Sequence, residues 1–239
     1  MLLALTGCAA LFGAQPSPNT VVEQSPQTIE VTPSATPSAA PGAEPPSGEP
    51  LVDHQVIDQE IADAVSVVGQ FWATHFAEYY GGTYYSPADF IPYTADDLPG
   101  CGGEPVEPDN AFYCIPDNTI LWDQNLMDQL YTSGGDAVIY LVIAHEWGHE
   151  IQAQLPDAAL WTAEELQADC FAGAALYGAA ADGTFQWEEG DTAEITNGLT
   201  FLADETPWTD IDSHGDPLDR IDAFNDGRVG GTEGCLPVE

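Results

Sequence analysis

Apolar positions recur at helical spacing through Val56, Ile57, Ile61, Ala64, Val65, Val68, Phe71, Trp72, His75, Phe76 and Tyr79, one stripe that predicts a long amphipathic helix. His75 falls on that stripe, which predicts a packed core histidine. Two short aromatic and β-branched runs, Phe112 to Ile115 and Thr119 to Trp122, flank Pro116-Asp117-Asn118 and read as a hairpin. Gly134 and Gly135 then break the chain, Asp136 is placed to cap, and Ala137 to Ala144 is unbroken apolar sequence until Pro156 stops the helix. A helix so apolar on every side belongs in a core. A further helix opens near Thr162 and continues to about Ala180, whereas Asp212-Ser213-His214-Gly215-Asp216-Pro217 reads as a loop. The pattern predicts an α+β domain over residues 51–239, mostly helical with a small sheet or hairpin, and a chain of that length can bury a single sizeable core.

The amino-terminal fifth follows a different pattern. Leu2 to Leu5 and Ala9 to Phe12 are apolar but too short to span a bilayer. Leu5-Thr6-Gly7-Cys8 resembles the lipobox of bacterial lipoprotein signals, which implies lipidation at Cys8 and a truncated signal over residues 1–8. The basic segment expected ahead of it is missing, so a natural start further upstream is expected. Residues 9–50 are rich in Pro, Ser, Thr and Ala with almost no aromatics, and cannot bury enough surface to offset their ordering entropy. They read as a disordered tether. With Cys8 set aside, Cys101, Cys114, Cys170 and Cys235 allow three pairings, of which we prefer Cys101 with Cys114 and Cys170 with Cys235. Disulfides imply an oxidising, extracytoplasmic location.

Forty acidic residues against two Arg and no Lys give a formal charge of -38. That excess argues against nucleic acid, whose phosphates need clustered cations, and against an anionic membrane patch. Membrane attachment then comes only through a lipid anchor. Adaptation to a salty medium, where screening relieves self-repulsion, accounts for the acidity more simply than steering of cationic ligands. Arg220 and Arg228 are each expected to pair with several carboxylates, Arg220 in an internal salt bridge that holds the His214 loop.

The chemistry concentrates in His145-Glu146-Trp147-Gly148-His149. At 3.6 residues per turn the two histidines lie about 40° apart on one helix face and roughly 6 Å apart along the axis, so both reach one metal ion. Glu146 sits about 100° round from His145, where it flanks the metal and can take a proton from metal-bound water. Catalytic zinc needs a third protein ligand. Glu165 and Asp169 are four residues apart on the next helix. We assign Glu165 as the ligand, with Glu164 as the fallback, and Asp169 as acceptor for the far N–H of a ligating histidine. Thr162 and Glu165 also fit a capping box, which would give Glu165 a purely structural role.

These residues resemble the neutral zinc metallopeptidases of bacteria. The resemblance rests on Ile143 to His149, on Glu165-Leu166-Gln167-Ala168-Asp169-Cys170-Phe171-Ala172-Gly173, on Phe112 to Asp117, and on His214-Gly215 followed by Arg220, across roughly residues 70 to 235. Glu150 departs from it, standing where the family has a further His. The resemblance implies one catalytic Zn2+ held by His145, His149 and Glu165, with Glu146 as base, peptide or protein as substrate, and endopeptidase rather than exopeptidase action. It makes His214 a candidate donor to the oxyanion. In this fold class the hairpin is expected to offer an edge strand above the active-site helix, to which an extended peptide adds. A non-catalytic zinc-binding surface module and a zinc amidase acting on cell-wall peptides stay open as alternatives.

Overall fold

The computed structural model describes residues 53–203 and 214–238. The expected signal, Cys8 and the tether over 9–50 lie outside the described residues, as do Asp212 and Ser213. Among the described residues no helix is long and apolar enough to cross a membrane.

The predicted stripe folds as α1 (His54–Tyr80), capped by the Asp53 side chain, which accepts from the Gln55 amide. Its buried face runs from Ile57 to Phe76, but Val56 and Tyr79 at its two ends are exposed. His75 is a correction to the expected core histidine. It lies at the rim of the core, its Nε2 2.7 Å from Asp182 and its Nδ1 3.2 Å from Glu78. An imidazole on an apolar stripe still needs partners for two nitrogens, and acidic neighbours at the core boundary supply them.

The hairpin forms as β4 (Ala111–Cys114) antiparallel to β5 (Thr119–Asp123). On its other side β5 pairs in parallel with β1 (Asp89–Tyr93), so the fully buried β5 is central and β4 lies at one edge. A two-residue pair, β2 (Gly100–Cys101) and β3 (Glu104–Pro105), sits beside it, and the Cys101–Cys114 disulfide joins this pair to β4. Asp123 ends β5 and caps α2 (Gln124–Gly134) by accepting from the amides of Asn125 and Leu126.

The apolar run and the histidine motif form α3 (Asp136–Gln154), which ends ahead of Pro156. Asp136 is its first residue rather than its cap; Gly135, at φ 93°, holds the cap position with no side-chain bond. Three further helices follow: α4 (Glu164–Asp182), α5 (Asp191–Phe201) and α6 (Pro217–Gly230). Of the expected loop, Asp216 is the cap of α6 and Pro217 its first residue. Helix α3 packs against α1, α2, α4, α5 and β4, and fifteen of its nineteen residues are buried.

Two glycines let backbones approach. A Cβ on Gly148 of α3 would stand 2.7 Å from the Ala168 carbonyl oxygen of α4, and one on Gly227 of α6 would stand 1.8 Å from that of Cys170. The Cys170–Cys235 disulfide then fastens a carboxy-terminal 3-10 turn, Gly231–Cys235, to α4.

A polar network fixes the segment after α1 to α3. The Trp147 indole donates to the Tyr84 hydroxyl at 2.6 Å, Tyr84 reaches the Glu150 carboxylate at 3.5 Å, and the Gln154 amide exchanges two hydrogen bonds with the Tyr85 backbone while also donating to Glu150. Burial pushes the Glu150 carboxyl up to about 8, against the lowering effect of its bonds from Tyr84 and Gln154. Folding therefore favours the protonated acid. Between the ordinary value of 4.5 and about 8 the unfolded chain releases a proton that the folded chain holds, so stability falls as pH rises through that window. Glu150→Gln is expected to remove this slope. Thermal melts should show the variant level with the parent near pH 4.5 and more stable at pH 8, by on the order of a few kcal/mol.

Candidate metal centre

The motif brings two imidazoles together at the middle of the core. His145 and His149 face each other across 3.2 Å between their Nε2 atoms. The Glu165 carboxylate completes the group, with Oε2 3.3 Å from His145 Nε2 and Oε1 3.5 Å from His149 Nε2. Glu165 is the second residue of α4, whose cap position is Ala163 without a side-chain bond. The capping box with Thr162 is therefore absent. Glu164, the fallback ligand, contributes its backbone carbonyl instead, which accepts from Gln152 at 2.6 Å.

Each histidine is held from behind through Nδ1. His145 Nδ1 lies 2.8 Å from Asp169 Oδ1, and His149 Nδ1 lies 2.8 Å from Gln152 Oε1. Both acceptors take a proton from Nδ1, so in the neutral rings the two Nε2 lone pairs point at one another and at a carboxylate. Glu165 Oε2 is buried without a hydrogen-bond partner among the described residues. Such a donor set suits a cation.

Zinc fits it. A tetrahedral ion with ligand bonds near 2.0 to 2.2 Å needs donors about 3.3 to 3.6 Å apart, which is the spacing found here, and two imidazoles with one carboxylate leave a fourth position for solvent. The electrostatics favour positive charge at this position. Burial alone would lower the His145 pKa, yet Asp169 and Glu165 outweigh it and hold the ring up at about 10, so at neutral pH a metal ion would bind here by displacing a proton. Burial would raise the Glu165 carboxyl, but the two imidazoles hold it well below the usual range.

Glu146 lies beside the donor set, almost wholly buried, and lines the second cavity together with Tyr113 of β4. Desolvation raises its pKa against the opposing pull of both histidines. Two cavities of about 290 and 460 Å³ meet here and share Asn110, Ala111, His145, Glu146 and His214. The first continues over Leu126, Leu130 and Leu141; the second passes Phe112, Tyr113 and Glu165. His214 sits half-exposed at their junction, its Nε2 3.7 Å from Glu165 Oε2.

Arg220 makes the expected internal salt bridge. It is buried and, among the described residues, grips Asp169 through Nε at 2.7 Å and a terminal nitrogen at 2.8 Å, while donating to the Leu202 carbonyl at 2.9 Å. Asp169 thereby joins His145 of α3 to Arg220 of α6. Burial would raise the Asp169 carboxyl, but Arg220 outweighs it and keeps the acid ionised. Arg228 lies over the Tyr177 ring at 5.6 Å and donates to Asn225. Sequence reasoning missed Gln152. Its place three residues after His149, on the same helix face, was the available signal.

A buried helix carrying two imidazoles, completed by a carboxylate from the next helix and flanked by a desolvated glutamate, defines a site of the zincin kind. The chain belongs to the family described as "Putative neutral zinc metallopeptidase", whose model matches residues 1–160. The motif resemblance extends over roughly 70 to 235, so the family match holds His145, Glu146 and His149 but stops short of Glu165 and Asp169. The chain is similar to the "Uncharacterized protein YpfJ" of Escherichia coli K12, 32% identical over 154 residues that cover 56% of this chain and 52% of that protein. It is also similar to the "Uncharacterized protein Rv2575" of Mycobacterium tuberculosis, 37% identical over 93 residues, or 33% of this chain and 31% of that one. The chain thus spans about half or less of the length of these curated relatives. No solved structure matches it.

Arg220→Ala would leave Asp169 charged and buried with one partner fewer. We expect a loss of about 3–5 kcal/mol, read as a fall in melting temperature of roughly 6–20 °C.

Proposed function

We propose that this protein is a zinc-dependent peptidase in which His145, His149 and Glu165 hold one Zn2+ and Glu146 is the general base. The convergence of two Nε2 atoms and the Glu165 carboxylate beside Glu146 carries the reading. Zinc, when bound, supplies a Lewis acid that polarises a carbonyl and lowers the pKa of water.

The protein's own groups do the rest. Glu146 takes a proton from the attacking water and later delivers it to the leaving amine. Desolvation raises its pKa, which makes it a stronger proton acceptor than a solvated carboxylate. Asp169 holds the His145 ring by Nδ1, with its own charge stabilised by Arg220. His214, at the cavity junction, is placed to donate to the carbonyl oxygen as negative charge develops there. An extended peptide would lie along β4, the edge strand beside the second cavity, and binding in the middle of such a strand would make the action endopeptidase. The two disulfides support an extracytoplasmic setting, to which lipidation at Cys8 would tether the domain.

Glu146→Gln should keep about one zinc per chain while cleavage of an unbiased peptide library falls by at least about 10²-fold. His149→Ala should lose the metal. A Glu146→Gln protein that hydrolyses peptides at the parent rate would defeat the assignment.

A further inference from the structure

The hydrogen bond behind His149 differs in kind from the one behind His145. Asp169 can only accept from His145, whereas an amide such as Gln152 can present either an oxygen or an NH2 group to His149. Which one it presents decides whether Nδ1 carries the proton.

Backbone groups settle the choice, starting two residues away. One end of the wholly buried Gln167 amide lies 2.8 Å from the Ala159 carbonyl oxygen and 2.8 Å from that of Cys235. Carbonyls only accept, so this end is the NH2. Its other end lies 3.1 Å from the Trp161 backbone N–H, which only donates, so that end is the oxygen. The Gln167 oxygen also faces Gln152 at 3.2 Å, and the same Gln152 atom lies 2.6 Å from the Glu164 carbonyl oxygen. Two acceptors require an NH2 there. The Gln152 oxygen is therefore left facing His149, whose Nδ1 must carry the proton.

We propose that Gln152 and Gln167 form an amide relay that fixes the tautomer and orientation of His149, keeping its Nε2 lone pair on the metal position and linking it to the carboxy-terminal turn. The inference rests on the zinc reading above. Neither glutamine reaches the metal position, so both are positioning residues. A neutral amide also suits this side of the site, where Glu146, Glu164 and Glu165 already gather and a further carboxylate would repel them.

The test uses the full chain, with zinc added or stripped. A His149 Nδ1–H proton, protected from solvent exchange, is expected in NMR spectra of the zinc-free and the zinc-loaded parent alike, since the relay belongs to the chain itself. Its absence from the zinc-free parent overturns the relay. Gln152→Met keeps the side-chain length and removes the acceptor; chelator competition should show zinc affinity reduced about 10–100-fold. Gln152→Glu keeps an acceptor for Nδ1 but loses both donor bonds and adds a buried charge. It should bind zinc more tightly than Gln152→Met while melting at a lower temperature in the zinc-free state. Gln167→Met, which frees Gln152 to turn over, should lower zinc affinity several-fold with the ligands intact. A merely structural role would make zinc affinity follow melting temperature across the three variants, and that result overturns the relay. A zinc-loaded Gln152→Met protein with parental affinity does so as well. A parent chain that takes up no zinc defeats the peptidase reading instead, while the Nδ1–H signal still decides the relay.

Discussion

Everything at the centre of this molecule depends on one buried carboxylate. Asp169 is wholly shielded from solvent, and a charge there is tolerable only when it is paired and hydrogen-bonded. The fold provides partners from two directions, Arg220 from α6 and His145 from α3. Helices α3, α4 and α6 therefore cannot shift independently, because any displacement would leave an unpaired charge in the core. In a chain with two arginines and forty acids, the position of Arg220 is telling. It pairs with Asp169, an acid at 0% exposure in the core.

Close packing reinforces that constraint. Gly148 lies between the two histidines and removes the side chain that would hold α3 away from α4 at Ala168, the residue next to Asp169. The metal position is consequently a product of backbone contact: α4 comes close enough for Glu165 to face both imidazoles because nothing projects from α3 at that turn. Gly227 does the same between α6 and α4 and brings Arg220 within reach. Electrostatics and packing point to one arrangement, as expected of a sequence that specifies a single core.

Much of this was legible in the sequence, and the reasons differ by element. The stripe of α1, the apolar run of α3 and the aromatic runs of β4 and β5 bury large side chains at regular spacing, so periodicity reveals them. Strand β1 gave no such signal. It is five residues long, carries Pro92, and owes its existence to parallel pairing with a segment some thirty residues away. Helix α6 hid for another reason: its inner face is Arg220, Ala223, Phe224 and Gly227, a surface for close backbone approach and an ion pair rather than an apolar stripe. At the site, the spacing of His145, Glu146 and His149 needs only helix geometry. The part played by Gln152 depends on Gln167, Ala159 and Cys235, which the fold alone brings together. His75 illustrates the converse, since periodicity places a residue on a face without telling how close that face comes to the core's edge.

The Cys170–Cys235 bridge bears on how the protein is made. Residues 145 to 169 leave the ribosome long before residue 235, and for that interval Gln167 has no Cys235 carbonyl to donate to. The helices that carry His145, His149 and Glu165 can pair early, but the last support behind His149 arrives only when the tail folds back across 65 residues and is fastened. Biosynthesis thus imposes an order, in which ligand-bearing segments come first and their final alignment comes last.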